Sequence, residues 1–488
     1  MMLRWRMSLL GLLGITLALG GAPACNGDDD DDVVVPPPPV PPPPAGATRL
    51  RVVHASPNAP AVDVWTPGAT EPLVRELRYG QTTPYIDVPA GDATFLLRAS
   101  PSTATDPVAF STGVVSLPAD RQVTAVAAGL LGSEDPETSF RVLPLVEGFG
   151  PNEPGKARVR VVHASPNAPT VGVDVGAVDP AAPEIPSLPR FGDTGPDGIP
   201  LDAAQMLQLG ITADNQRVTA FTTPALPDGG ELFVIATGLL GDAARRPSGF
   251  SLLPVAQTGA LDFVLQNPRV FALHASPDAP AVDLFFQDME LVDDLTFGEL
   301  SQTIQVPPGT YMIDVFPTAP GNTRPAGAPV AMLSTGDLVA GESYLGIATG
   351  FVAAARQSPL QLLRFQEAFA EQGPRLRAVH ASPDAPPVDV GVVADGELGV
   401  VLIEGLAFTQ ATPPEGLQVP PGNYVVGLAP AGNPTQVVFS QDLSVEPTTA
   451  SFVVAAGALQ PQDGEQPLQL IGIDTRAPVW QRAAVPPQ

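Results

Sequence analysis

One nine-residue phrase occurs four times in this 488-residue chain and carries every histidine the chain has. His54 and His163 lie in Val-Val-His-Ala-Ser-Pro-Asn-Ala-Pro. His274 lies in Ala-Leu-His-Ala-Ser-Pro-Asp-Ala-Pro, and His380 in Ala-Val-His-Ala-Ser-Pro-Asp-Ala-Pro. The spacings are 109, 111 and 106 residues. A period that long is a complete small domain rather than the rung of a solenoid. The chain therefore reads as four similar modules in tandem, over residues 48–147, 157–257, 268–366 and 375–477.

Within a module the pattern is that of strands. In residues 49–55, Leu50, Val52 and His54 fall on one side, and Arg49, Arg51, Val53 and Ala55 on the other, a period of two. Ser56-Pro57-Asn58-Ala59-Pro60 is turn chemistry, with proline presetting φ and Asn or Asp tolerating the bend. A second strand follows, with Val62 and Val64 expected inward and Asp63 outward. A Pro-Xaa-Gly or Pro-Pro-Gly turn comes about 25 residues later, at Pro89-Ala90-Gly91, Pro307-Pro308-Gly309 and Pro420-Pro421-Gly422. Near-continuous apolar runs ending in Gly129, Gly238, Gly350 and Gly457 predict central strands buried on both faces. A last strand closes each module near residues 140–145, 250–255, 360–365 and 468–473. The second module departs from the others. It has no Val-Pro-Xaa-Gly turn, carries an insertion near 193–200, and has Gly172 where the others have Asp63, Asp283 and Asp389.

The chain's 60 prolines and 47 glycines imply many short elements, since proline is excluded from helix interiors and central strands. Seven or so short strands in about 100 residues predict an all-β fold of four tandem immunoglobulin-like β-sandwich domains, with a small barrel as the alternative. The linkers near 148–156, 257–268 and 366–374 are short and predict a rod-like array of separate modules with limited flexibility. Charge narrows the partners. With 24 Lys plus Arg against 51 Asp plus Glu, the formal net charge is −27, which argues against nucleic acid.

The N-terminus speaks to location. A basic Met1-Met2-Leu3-Arg4-Trp5-Arg6-Met7, a short apolar run over 8–20 and small residues before Cys25 read as a secretory signal peptide over 1–24. Cys25 is the only cysteine, and its position resembles the lipobox of bacterial lipoproteins, with Ala22 at the preferred apolar site and Pro23 an unusual neighbour. That resemblance implies lipidation of Cys25, a membrane anchor and no disulfide. Residues 25–47, with five aspartates at 28–32 and prolines at 36–39 and 41–44, predict an extended, disordered stalk. The expected location is the cell envelope, as an outer-membrane lipoprotein or at the cell surface, or secreted if Cys25 is not lipidated.

The phrase Arg-Val-Val-His-Ala-Ser-Pro-Asn-Ala-Pro, followed by Val-Asp-Val and later Val-Pro-Ala-Gly, resembles the bacterial and archaeal family called domain of unknown function 4397. The resemblance covers roughly residues 48–477. It implies a secreted or surface β-domain, often in tandem, and implies no activity.

A repeated His beside a repeated Ser and Asp contains the residue types of a hydrolase triad, here His54, Ser56 and Asp63. Alternation puts His54 toward the core and Asp63 away from it, the second module lacks the Asp, and no nucleophile elbow is present. The expected role of His54, His163, His274 and His380 is structural, each capping its first strand and bonding its own Ser-Pro turn. Asp63, Asp283 and Asp389 are likewise expected to be structural. No metal or cofactor is expected: there is no His-Xaa-Xaa-His or cysteine pair, and the acidic residues Asp288, Glu290, Asp293 and Asp294 are expected to be a solvated loop rather than a calcium site. Function is expected to be non-enzymatic: an anchored array that spaces, scaffolds or adheres. The alternative is a module binding surface polysaccharide or protein, and a hydrolase is the least favoured reading.

Overall fold

The computed structural model describes residues 44–177 and 179–483. The leader, Cys25 and the stalk up to residue 43 lie outside the described residues. Among the described residues the chain is all-β, and each repeat is a sandwich of two sheets. Among them there is no helix long and apolar enough to cross a membrane.

The first repeat sets the pattern. Its strands are β1 (Ala47–His54), β2 (Val62–Trp65), β3 (Val74–Leu77), β4 (Ile86–Pro89), β5 (Gly91–Ala99), β6 (Phe110–Leu117), β7 (Arg121–Ala128) and β8 (Arg141–Val146). One sheet has the order β4-β1-β7-β8 and the other β3-β2-β5-β6. The pairing of β1 with β7 is parallel, running from Thr48 opposite Arg121 to His54 opposite Ala127. The other ladders of the repeat are antiparallel. The same parallel pair recurs as Lys156–His163 with Glu231–Thr237, Arg269–His274 with Ser343–Thr349, and Arg375–Ala381 with Ala450–Ala456. The missing turn of the second repeat costs no strand: Ile199–Asp202 lies along Lys156–His163, where β4 lies along β1.

Period-two alternation fills each sandwich. In the first repeat Leu50, Val52, Val62, Val64, Phe95, Leu97 and Val123 meet in one core. The other face of β1 and β7 is equally buried, because Val53, Ala55, Val126 and Ala128 form a second apolar cluster with Val162, Ala164, Phe233 and Ile235 of the second repeat. Repeats 1 and 2 thus belong to one compact unit, ending at Asn267, and repeats 3 and 4 to another that begins at Pro268.

Each unit is a pair of sandwiches back to back. In the first, the contacts are reciprocal. Arg51 Nη1 donates to Ala256 O at 2.6 Å, and Arg160 Nη1 donates to Val146 O at 2.8 Å. Both guanidinium groups lie against the Phe233 ring, 5.4 and 5.5 Å from its centre. Such mutual exchange of equivalent contacts is the signature of an isologous interface, here between two halves of one chain. In the second unit Phe271 stacks on Trp480 at 4.3 Å with planes 9° apart, and Arg377 Nη1 donates to Gln366 O at 2.6 Å. Trp480 lies beyond the fourth sandwich's expected end, and Gln481–Arg482 adds a strand to its sheet. The two sandwiches of each unit therefore share a buried face, which the residues alone left open. The physical reason is the composition of the outer faces of β1 and β7 and their equivalents: Val, Ala, Ile and Phe there would be costly in water.

Candidate functional site

The four repeated phrases build the same polar latch at the end of the first strand. His54, His163, His274 and His380 are each at most 1% exposed. Their Nε2–H groups donate to the carbonyls of Pro60, Pro169, Pro280 and Pro386 at 3.1, 2.9, 3.0 and 3.2 Å. A carbonyl can only accept, so each ring is the Nε2–H tautomer. In the first and fourth repeats Nδ1 accepts from the backbone N–H of Ser56 and Ser382 at 3.4 Å. Burial is the main cause that lowers the affinity of all four rings for a proton; the proline carbonyls oppose it in part. Aromatic edges pack on three of the rings, from Tyr79, Phe297 and Phe408 at 6.2, 6.1 and 6.2 Å.

The serine hydroxyl points elsewhere. Ser56, Ser165 and Ser276 Oγ donate to the carbonyls of Gly129, Gly238 and Gly350, each at 2.7 Å. The next polar residue grips the same loop. Asn58 exchanges hydrogen bonds with Leu131 N–H and C=O at 2.9 and 3.0 Å, and Asn167 does so with Leu240. Asp278 accepts from Val352 and Ala353, and Asp384 from Leu459 and Gln460, at 2.7–3.0 Å. The phrase thus ties the end of β1 to the exit of β7, about 73 residues on. Its alanines, Ala55, Ala164, Ala275 and Ala381, are wholly buried toward the sister repeat.

The glycine at that exit is required. Gly129, Gly238, Gly350 and Gly457 have φ of +85°, +82°, +104° and +94°, and a Cβ on each would lie 2.2–2.3 Å from a backbone oxygen. Gly129→Ala is therefore expected to destabilise the first unit by more than the ~1–2 kcal/mol of left-handed strain alone. Urea unfolding of the full chain, followed on that unit's transition, checks this.

Asp63 corrects the sequence reading. It does face away from the sandwich core, but it is buried, not outward in solvent, at 1% exposure. Its Oδ1 accepts from Glu76 N–H at 2.7 Å, and its Oδ2 from the N–H and hydroxyl of Ser102 at 2.8 and 2.7 Å. Burial pushes its proton affinity up, yet these donors together hold it below the ordinary carboxylate value. Asp283 accepts from Asp294, Thr318 and Ala319, and Asp389 from Gly405 and Gly432. In each case the carboxylate holds a left-handed bulge residue, Glu76, Asp294 or Gly405. Alternation could assign the face but not the loop that covers it. In the second repeat a Cβ at Gly172 would lie 2.5 Å from Thr212 Oγ1 and 2.9 Å from Pro183 Cγ, so those side chains fill the place. Asp63→Ala leaves buried donors unpaired and is expected to cost about 3 kcal/mol, read as a lower urea midpoint with unchanged slope.

Triad chemistry finds no geometry here. His54 Nε2 and Ser56 Oγ each serve a carbonyl, and the Asp63 carboxylate serves Glu76 and Ser102. The acidic segment of the third repeat is not a loop either: Glu290, Asp293 and Asp294 lie on the strand Met289–Leu295, while Asp288 is exposed just before it. Asp283, Glu290 and Asp293 bring one carboxylate oxygen each within 4.8 Å of one another. Burial, then Asp293 and Asp283, raise the proton affinity of Glu290. The sequence reading missed Asp283 in this cluster because it comes from the neighbouring strand.

Comparison with known proteins decides the family. The description "Domain of unknown function (DUF4397)" matches residues 48–174, 268–391 and 374–485, more than half of the chain. The chain belongs to the DUF4397 family. Its members' defining segment falls on the first, third and fourth repeats, and the DUF4397 match ends inside the second at Asp174, in the strand that carries Gly172. No curated protein matches. Among solved structures, the chain is similar to the Bacillus anthracis TIE protein at 11% identity and a TM-score of 0.13, over 80% of this chain and 65% of that one.

Proposed function

We propose that this DUF4397 protein is a non-enzymatic, lipid-anchored protein of the bacterial cell envelope, whose paired β-domains act as a spacer, scaffold or adhesion array. The observation that carries the reading is the use of the repeated phrase: all four imidazole Nε2 atoms, three of the four serine hydroxyls and all four Asn or Asp side chains are spent on backbone partners within their own repeat. Such a phrase recurs because the fold needs it four times, and repetition multiplies weak surface contacts through effective concentration. The leader, Cys25 and the proline stalk supply the anchor and the reach. Specific polysaccharide recognition is the weaker reading, because the large apolar side chains that stand well exposed among the described residues are aliphatic, such as Val114, Met206 and Met332, whereas sugar rings favour aromatic platforms.

Metabolic labelling tests the anchor. Labelled palmitate is expected on the wild-type chain and not on Cys25→Ala, with the wild type in the membrane fraction. Equal labelling of both, or an unlabelled soluble chain, would overturn the anchored reading.

A further inference from the structure

We propose that the interior of the third repeat is a binding site for the end of an unbranched alkyl chain. A cavity of about 80 Å³ lies between its two sheets, and no polar atom faces it. Protein interiors are normally close-packed, so a void of this size needs a cause. Three lining positions contribute to it. Ala272 pairs with Gly346 at the register place where the first repeat pairs Val52 with Ala125. Ile313, two residues before Val315 on its strand, stands where the first repeat has Phe95 two before Leu97. The third repeat is smaller at all three. In the fourth, Ala378 is answered by Val453; the second repeat, with Val161 opposite Val234, also encloses a largely apolar cavity, of about 100 Å³.

The shape and chemistry select the guest. An apolar void without polar partners stays dry, and an engineered one of ~150 Å³ takes benzene or xenon. At roughly half that size the third repeat has room for only a few carbons, such as the last of an alkyl chain, and not for a whole ring of benzene's size. A charged or hydroxylated group would lose its hydrogen bonds inside, so a head group must remain outside. The half-buried Phe286 and Leu291 line the cavity. Leu291 lies on Met289–Leu295, an edge strand of its sheet whose pairing is broken by two register shifts. That edge is where a chain end would enter. The void is not forced on the fold: a Cβ at Gly346 would meet nothing closer than Leu362 Cδ1 at 3.4 Å, an ordinary contact.

Methyl NMR on the full chain, with isoleucine δ1 methyls labelled, tests the site. Titration with propane is expected to shift Ile304 and Ile313 in a saturating manner. The Ala272→Val/Gly346→Ala double substitution keeps both reporters, fills the void and is expected to abolish the shifts. If that variant does not fold, Ile313→Phe with Ile304 as reporter serves the same purpose. Decanoate in one arm and phosphatidylcholine vesicles in another separate a free chain from a lipid's acyl end; shifts from either carry the same assignment. Absence of saturable shifts with propane, or equal shifts in the filled variant, would overturn it.

Discussion

Phe233→Ala is expected to destabilise the first unit by about 3–5 kcal/mol, the range for removing a large buried aromatic side chain. Phe233 is wholly buried, yet it lies in the cluster shared by the two sandwiches rather than inside either. Its ring also sits against Arg51 and Arg160 and edge-on to Phe149 at 5.5 Å. Both guanidinium groups are themselves buried, at 2% and 5% exposure. Removing the ring leaves them beside a void without the π face they share, and a buried cation that loses its surroundings is costly. Each sandwich keeps its own core, so the loss falls on the pairing. Chemical unfolding of the full chain is expected to show a separate, earlier transition for the first unit, with the second unit unmoved. Trp480→Ala is expected to act the same way on repeats 3 and 4, through loss of the stack on Phe271 and the tilted contact with Phe452. The control is Val114→Ala, at 72% exposure, expected within about 0.5 kcal/mol of wild type. Equal effects of Phe233→Ala and Val114→Ala would refute a shared core.

Acid is the second large lever. All four imidazoles are buried and neutral, with folded proton affinity below the ordinary histidine value of 6.5, chiefly through burial. Below pH 6.5 the unfolded chain therefore binds more protons than the folded one, and stability falls as pH falls. The contribution is fully present above 6.5 and is lost below it. Once the unfolded rings are mostly protonated, the slope approaches about 1.4 kcal/mol per pH unit for each histidine, and each unit has two. Urea midpoints at pH 7.5, 6 and 5 are expected to drop steeply, and a His54→Gln/His163→Gln variant to show a flatter dependence for the first unit. Carboxylates such as Asp63, whose folded affinity is lowered, lose their contribution only below the ordinary carboxylate value of 3.8, so the two windows do not overlap. A pH-independent midpoint between 7.5 and 5 would contradict the buried, neutral assignment.

Much of this architecture was legible in the residues. Alternation at Leu50, Val52 and His54 set the inner face of the first strand, and the Pro-Gly turns and proline density set short strands in two layers. The doubly buried central runs were legible as well, but not what buried their second face. Val126 and Ala128 carry no mark that separates a sister repeat from any other apolar cover, and pairing between repeats joins residues about 110 positions apart. Asp63 was assigned to solvent because a polar residue on the outer side of a strand usually meets water. The Ser102 hydroxyl that covers it comes from a loop whose path no local pattern fixes. The serine-to-glycine tie of the latch was hidden for the same reason: Ser56 and Gly129 are both plain in the sequence, and only the parallel pairing of β1 with β7 brings them together. The smaller lining of the third repeat was readable in principle, as Ala272, Ile313 and Gly346 against Val52, Phe95 and Ala125. It required the register that the structure supplies.

The most direct measurement is the state of the four histidine rings, by long-range ¹H–¹⁵N correlation on the full chain as pH is lowered from 7.5 to 5.5. Four neutral Nε2–H tautomers, slow to exchange with solvent and not titrating near 6.5, are the predicted result. Rings that titrate together near 6.5 and exchange freely with water would place the imidazoles in an open cleft and contradict the structural latch.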